Sequence, residues 1–294
     1  MKYRILAIGL VLSLSSLLSG CSSNEAEIVE SRTQVQMENG LFSWSDDVLE
    51  EEEAVQLFRV MEECGLEDLY QHFSSDISNE EIENFLECAD EYGVSVYYLT
   101  GNPEWGLNPK GEEMCEEVEK VAQFNAGTEG KKLAGIIIDS EPYLLDAWDE
   151  NENGVMNSYV LAMEQAHEKA MEAEIPLIAC IPFYHDSSVH EEALKELMAD
   201  GCDGIAIMNY SRKDEIEHVE TEISIAEEVD CAVVVIYELQ EAGKHGLKEN
   251  NTYYQEGMEA LQESISKFQD TFGKENFRYA LHDYDALVEV IENE

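Results

Sequence analysis

Two carboxylates one residue apart, Asp139 and Glu141, close an apolar run that reads Gly135-Ile136-Ile137-Ile138-Asp139-Ser140-Glu141-Pro142. Side chains alternate along a strand, so the two acids of such a run point the same way. Two carboxyls held that close do not both ionise freely. One keeps its proton near neutral pH and becomes a general acid of the kind glycosidic bond cleavage needs. A calcium-binding or helix-capping pair would show the same spacing. Tyr210 and Glu238 end two later apolar runs and are the other candidate catalytic residues. Trp44, Tyr98, Trp105, Trp148, Tyr184, His185, Asn209 and His282 stand at or just beyond the ends of such runs. Aromatic faces beside carboxylates stack well on the C–H faces of sugar rings, so these eight are the candidate substrate-binding residues.

To meet at one place, these residues need a fold that brings many strand ends together. Short β-rich runs alternate with longer helical periods eight times, with strands expected at 41–44, 68–73, 94–100, 133–139, 176–183, 204–210, 232–238 and 277–282. Most are continuous apolar runs, as strands covered on both faces require. Between them lie amphipathic stretches, such as Ala54, Phe58, Met61 and Cys64 on one face and Ile82, Phe85, Leu86 and Ala89 on another. Gly65, Gly93, Gly201 and Gly273 follow four helical periods, where a left-handed glycine would end the helix. The expected fold is α/β, a single-domain (β/α)8 TIM barrel over residues 41–294, with its chemistry at the C-terminal strand ends. A doubly wound open sheet would usually show a Gly-rich phosphate turn, and neither GxGxxG nor GxxxxGK[ST] occurs.

With these residues placed, the chain resembles the chitinase and endo-β-N-acetylglucosaminidase type of glycoside hydrolase. Those enzymes end their fourth barrel strand in DxxDxDxE, and here Asp139 and Glu141 occupy the last two acidic places beside Gly135 and Ile138. Met208-Asn209-Tyr210 is similar to the Met-x-Tyr that closes their sixth strand. The resemblance implies Glu141 as the acid, Asp139 orienting an acetamido group, and Tyr210 steadying it as its carbonyl oxygen attacks the anomeric carbon. Ala134 and Ile137 stand where the pattern has its first two aspartates, and His282 stands near a position where the eighth strand usually has Trp. Glu141 also resembles the acid/base of retaining barrel glycosidases of the cellulase and β-galactosidase kind. Glu238 would then be the nucleophile, although Ser140 replaces the usual Asn. A barrel that binds glycans without turning them over fits the missing acids as well.

The 294 residues carry 65 Asp+Glu against 17 Lys+Arg, a formal charge of -48. A surface this negative repels phosphate backbones, which excludes nucleic acid as a partner and favours a neutral or partly cationic glycan. Lys2 and Arg4 precede an apolar run at 5–18 that closes in Leu18-Ser19-Gly20-Cys21. This looks like a bacterial lipobox. It implies a signal peptide over 1–20, lipid on Cys21, a tether over 21–40 and an extracytoplasmic, membrane-anchored location, with the lipid as the protein's only membrane contact. A monomer is expected. The six remaining cysteines sit in apolar patterns without metal spacing and read as buried thiols, with Cys202 and Cys231 as the one pair placed to bond. No cofactor is expected other than calcium at Asp149, Asn151 and Asn153. These open a DxNxNG run whose twelfth position is Val160 rather than Glu.

Overall fold

Residues 35–185 and 190–294 are described by the structure, a computed structural model. Cys21 and the apolar run at 5–18 lie outside the described residues. Among the described residues eight parallel strands close a barrel: β1 (Gly40–Ser43), β2 (Asp68–His72), β3 (Ser95–Thr100), β4 (Gly135–Ile138), β5 (Leu177–Pro182), β6 (Gly204–Met208), β7 (Ala232–Glu238) and β8 (Tyr279–His282). Each pairs with the next and β8 closes on β1 through Leu41 and Leu281, which gives the (β/α)8 barrel expected. The helices are α1 (Glu51–Cys64), α2 (Asn79–Glu91), α3 (Glu112–Gly127), α4 (Asp146–Glu172), α5 (Glu191–Glu196), α6 (Glu220–Val229), α7 (Gly257–Phe272) and α8 (Tyr284–Glu292). A short extended segment, Ala242–His245, lies in the β7–α7 connection. None of these helices is long and apolar enough to cross a membrane.

Strand alternation divides the apolar residues into two shells. Phe42, Tyr70, Tyr97, Leu99, Ile137, Ile178, Cys180, Ala206, Met208, Val234, Ile236 and Ala280 fill the barrel. Their strand neighbours Leu41, Leu69, Val96, Ile136, Ile138, Ile205, Ile207, Val235 and Leu281 face the helices. This explains why the strands read as unbroken apolar runs.

The folded part starts before Leu41, a correction to the tether boundary at residue 40. Met37 is buried within the barrel shell, the Glu38 amide donates to Asp68 at 2.7 Å, and Arg278 pairs with Glu38 at 2.9 Å. A lone methionine among polar residues carries no period, so its role as the barrel's plug depends on the surface it meets.

Gly65 and Gly93 take left-handed φ of 68° and 72° as expected, but Gly201 does not. It ends a π-helical turn, Leu197–Gly201, where a Cβ would lie 2.9 Å from Leu197 and 3.3 Å from Met163. Close packing on α4, rather than backbone handedness, is what requires glycine there. The six cysteines at 64, 88, 115, 180, 202 and 231 form no disulfide; the Cys202 and Cys231 thiols donate to the carbonyls of Leu197 and Ala232.

Candidate active site

The period that puts Ile137 inside the barrel carries on past the end of β4, so Asp139 and Glu141 also face inward. The same parity turns Trp44, His72, Tyr210, Glu238 and His282 toward the barrel mouth, continuing Phe42, Tyr70, Met208, Ile236 and Ala280. Asp139 is anchored by its amide, which donates to the Thr100 carbonyl at 2.8 Å, and Gly101 lies against its backbone. Ser140 points the other way and donates to the Asn102 carbonyl at 2.9 Å, tying β4 to the β3 loop.

Burial, followed by the charge of Glu141, pushes the Asp139 carboxyl up to about 7, against opposing effects from His282 and the Cys180 thiol. Its Oδ1 is buried and has no hydrogen-bond partner among the described residues. Glu141 is only partly buried and accepts a hydrogen bond from the Tyr143 hydroxyl. Tyr143 is in turn packed edge-on by Tyr184 at 5.7 Å, His185 at 5.6 Å and Trp148 at 6.4 Å. Tyr143 was not among the candidates from the sequence. The one signal for it was its place two residues after Glu141.

Across the barrel, His282 Nδ1 lies 3.0 Å from Glu238 Oε2, and Trp44 donates its indole N–H to His282 Nε2 at 3.1 Å. Burial disfavours the His282 imidazolium. The hydrogen bond and charge of Glu238, with Asp283 and Asp139, outweigh it and raise the pKa above 6.5. An indole N–H can only donate, so the hydrogen bond from Trp44 requires the neutral ring. The free site therefore holds two opposed tendencies: the carboxylates favour the charged ring and the indole contact requires the neutral one. Glu238 is 3% exposed and its Oε1 accepts the Gln240 amide at 2.7 Å. Both its oxygens are thus engaged, which leaves it poorly placed as the nucleophile of a covalent route. The Tyr210 ring lies 6.1 Å from His282.

Several candidate binding residues are not at the mouth. Tyr98 faces outward, as its pairing with Ile136 dictates; it stacks on Phe73 at 6.0 Å and donates to Glu117. Asn209, one residue out of phase with Tyr210, is buried and donates to the Glu215 carbonyl at 2.8 Å. Trp105 packs on the helix-side shell. His185 is buried and stacked on Trp148 at 5.7 Å; burial, then His190, pulls its pKa down to about 3, so the ring is neutral, and both its nitrogens lack a hydrogen-bond partner among the described residues. Trp148 braces Tyr143 and His185 instead of forming an open platform. Trp44 and Tyr184, 38% and 47% exposed, are the aromatic residues that remain open at the mouth. Asp149, Asn151 and Asn153 lie around a kink near the start of α4, where the backbone leaves helical geometry at Asn151 (φ -156°, ψ 65°) and Asn151 Oδ1 accepts the Gly154 amide at 3.3 Å. Among the described residues no group of three or more His, Cys, Asp or Glu is placed to hold a metal.

Asp139 has a counterpart at the other end of the barrel. Burial also lifts Asp68 to about 7. An unfolded aspartate titrates near 3.9, so between about pH 4 and 7 the native state binds protons that the unfolded state has lost, and stability falls as pH rises. Asp139→Asn removes one such site. Relative to this variant the wild type should lose up to about 1.4 kcal/mol per pH unit across that window, read from denaturant melts at pH 4.5 and 7.5. Parallel curves for the two proteins would show that Asp139 does not titrate there.

Among solved structures the chain is similar to a GH18 chitinase from Pseudoalteromonas aurantia, with a TM-score of 0.58 and 12% identity over 88% of this chain and 100% of that one. It is also similar to a chitinase from Chromobacterium violaceum ATCC 12472, with a TM-score of 0.52 and 11% identity over 87% of this chain and 98% of that one. No family model matches the chain, and no curated protein does. At such identities the likeness shows the fold alone: the chain is a (β/α)8 barrel.

Proposed function

We propose that the chain is a lipid-anchored glycoside hydrolase that cleaves a neutral, N-acetylated glycan, with Glu141 as general acid and Asp139 and Tyr210 assisting. The observation that carries this reading is the orphaned Oδ1 of Asp139, buried beside a Glu141 carboxyl that Tyr143 holds in place. An unpaired buried carboxyl oxygen costs about 1–3 kcal/mol, and an acetamido N–H is a donor of the right size to satisfy it. One proton shared by the Asp139–Glu141 pair would reach the glycosidic oxygen through Glu141 as the C–O bond breaks and the acetamido carbonyl oxygen closes on the anomeric carbon. Tyr210 would hold that carbonyl, and Asp139 would stabilise the positive charge that develops on the ring so formed. A water then adds to the anomeric carbon, giving its proton to the Glu141 carboxylate and reopening the acetamido group.

The anchor rests on the Leu18-Ser19-Gly20-Cys21 run alone. A barrel that binds glycan without turnover is the second reading, favoured by Ile137, a fully buried aliphatic residue where the chitinase-type pattern has an acid. Chitin oligomers separate the two. Wild-type protein should cleave them, a thiazoline sugar should inhibit, and Asp139→Asn should slow turnover about a hundredfold. Binding with no cleavage supports the second reading. Trapping of Glu238 by a fluorosugar sinks the acetamido route.

A further inference from the structure

The mouth contains a polar group that the reaction above does not use. The donor-only indole of Trp44 aims at His282 Nε2, so that nitrogen is an acceptor and the imidazole proton sits on Nδ1, facing the Glu238 carboxylate. Glu238 is fixed in place by the Gln240 amide at 2.7 Å, and the Gln240 side chain donates to Asp283 Oδ2 at 2.7 Å. A buried carboxylate thus sets both the tautomer and the orientation of the ring, the arrangement by which proteins present an imidazole nitrogen to a ligand. What covers that nitrogen is a side chain 38% exposed to solvent, packed on His72 at 5.9 Å. Its N–H can find water as readily as Nε2, so displacing it costs little.

We propose that His282 Nε2 is a ligand-binding pole of the site. A hydroxyl of the bound glycan replaces the indole N–H as its donor, and Trp44 swings away from His282 to admit it. The identity of the ligand rests on the glycan reading; the tautomer does not. Charged and titratable groups meet the ring from every side: Glu238 on β7, Asp139 beyond β4, Tyr210 beyond β6, Asp283 beside it, and His72 on β2 behind Trp44. The carboxylates favour an imidazolium, whose Nε2–H could accept nothing. A hydroxyl that donates to Nε2 keeps the ring neutral, just as Trp44 does in the free site. The ligand this selects has a free hydroxyl donor pointing at the floor of the barrel, next to the acetamido group read by Asp139.

Full-length protein labelled with ¹⁵N-histidine, titrated with tri-N-acetylchitotriose, tests this. In the free protein His282 should show a protonated Nδ1 and an unprotonated Nε2. Saturation should shift the Nε2 signal and change a tryptophan emission component that Trp44→Phe lacks. His282→Phe keeps a ring without an acceptor and should weaken the oligomer about tenfold, His282→Gln should recover part of the loss, and Trp44→Phe should bind at least as tightly as wild type. A proton on Nε2 in the free protein, an unmoved Nε2 at saturation, or wild-type affinity in His282→Phe overturns the proposal. If the oligomer does not bind wild-type protein at all, the glycan reading and the ligand assignment both fall. The tautomer of the free protein then still decides the Trp44–His282–Glu238 chain by itself.

Discussion

Glu141→Gln should abolish hydrolysis of chitin oligomers while leaving the protein folded and able to bind them. The amide is nearly isosteric and still accepts the Tyr143 hydroxyl bond, so neither packing nor the local hydrogen bond is lost. What disappears is the proton for the leaving group. Removing a positioned general acid typically costs about 10²–10⁴ in rate, and the effect should fall on kcat rather than on KM. The variant also removes the charge that helps to hold Asp139 protonated, so Asp139 should titrate lower, visible as a lower midpoint in the pH titration of its carboxyl resonance. Product analysis by chromatography, with affinity measured by calorimetry, separates the outcomes. Unchanged turnover in Glu141→Gln would remove the hydrolase proposal in both its acetamido and covalent forms.

The second large effect is expected at a residue with no side chain. A Cβ on Gly101 would lie 2.0 Å from the Asp139 carbonyl oxygen and 2.5 Å from its carbonyl carbon. Both atoms belong to backbone, so a neighbouring side chain cannot relieve the clash by rotating; the ends of β3 and β4 must part. That would strain the bond from the Asp139 amide to the Thr100 carbonyl and shift the carboxyl that the site depends on. Gly101→Ala is therefore expected to destabilise the protein by about 1–3 kcal/mol or more and to lower activity well beyond what the lost stability explains. Gly127→Ala is the control. It lies at the end of α3 with nothing within 4 Å of the added methyl, and should be neutral or slightly stabilising. Equal behaviour of the two variants in denaturant melts and in turnover would show that the approach of β3 to β4 does not position Asp139.

Much of this arrangement was legible in the chain. The eight apolar runs matched the eight strands to within about two residues at most ends, because strands buried on both faces need continuous Val, Ile, Leu and Ala, and few other elements do. Asp139, Glu141, Tyr210, Glu238 and His282 face the mouth because a period of two continues each inward strand position by whole steps. Tyr98 and Asn209 were misassigned for the same reason. Each sits one step off phase, and the phase becomes known only when the register pairs Tyr98 with Ile136 and puts Met208 inside the barrel.

The tryptophans and His185 illustrate a different limit. They lie in or next to loops, where no period exists, so side-chain direction follows from what the loop packs against. Trp105 turns to the helix shell, Trp148 and His185 stack beneath Tyr143, and Trp44 remains open. Asp149, Asn151 and Asn153 have the composition of a calcium loop but flank a kink between two helical segments of α4, with Asn151 itself outside helical geometry.

The chain by itself determined the barrel, the inward direction of its acids and the pairing of Asp139 with Glu141, since all three follow from local alternation and apolar content. Tertiary structure alone decided that Trp44, Glu238 and His282 form one hydrogen-bonded chain and that one oxygen of Asp139 has no partner among the described residues. Closing the sheet places the first strand beside the last, and contacts between residues that far apart in the chain leave no periodic trace in it.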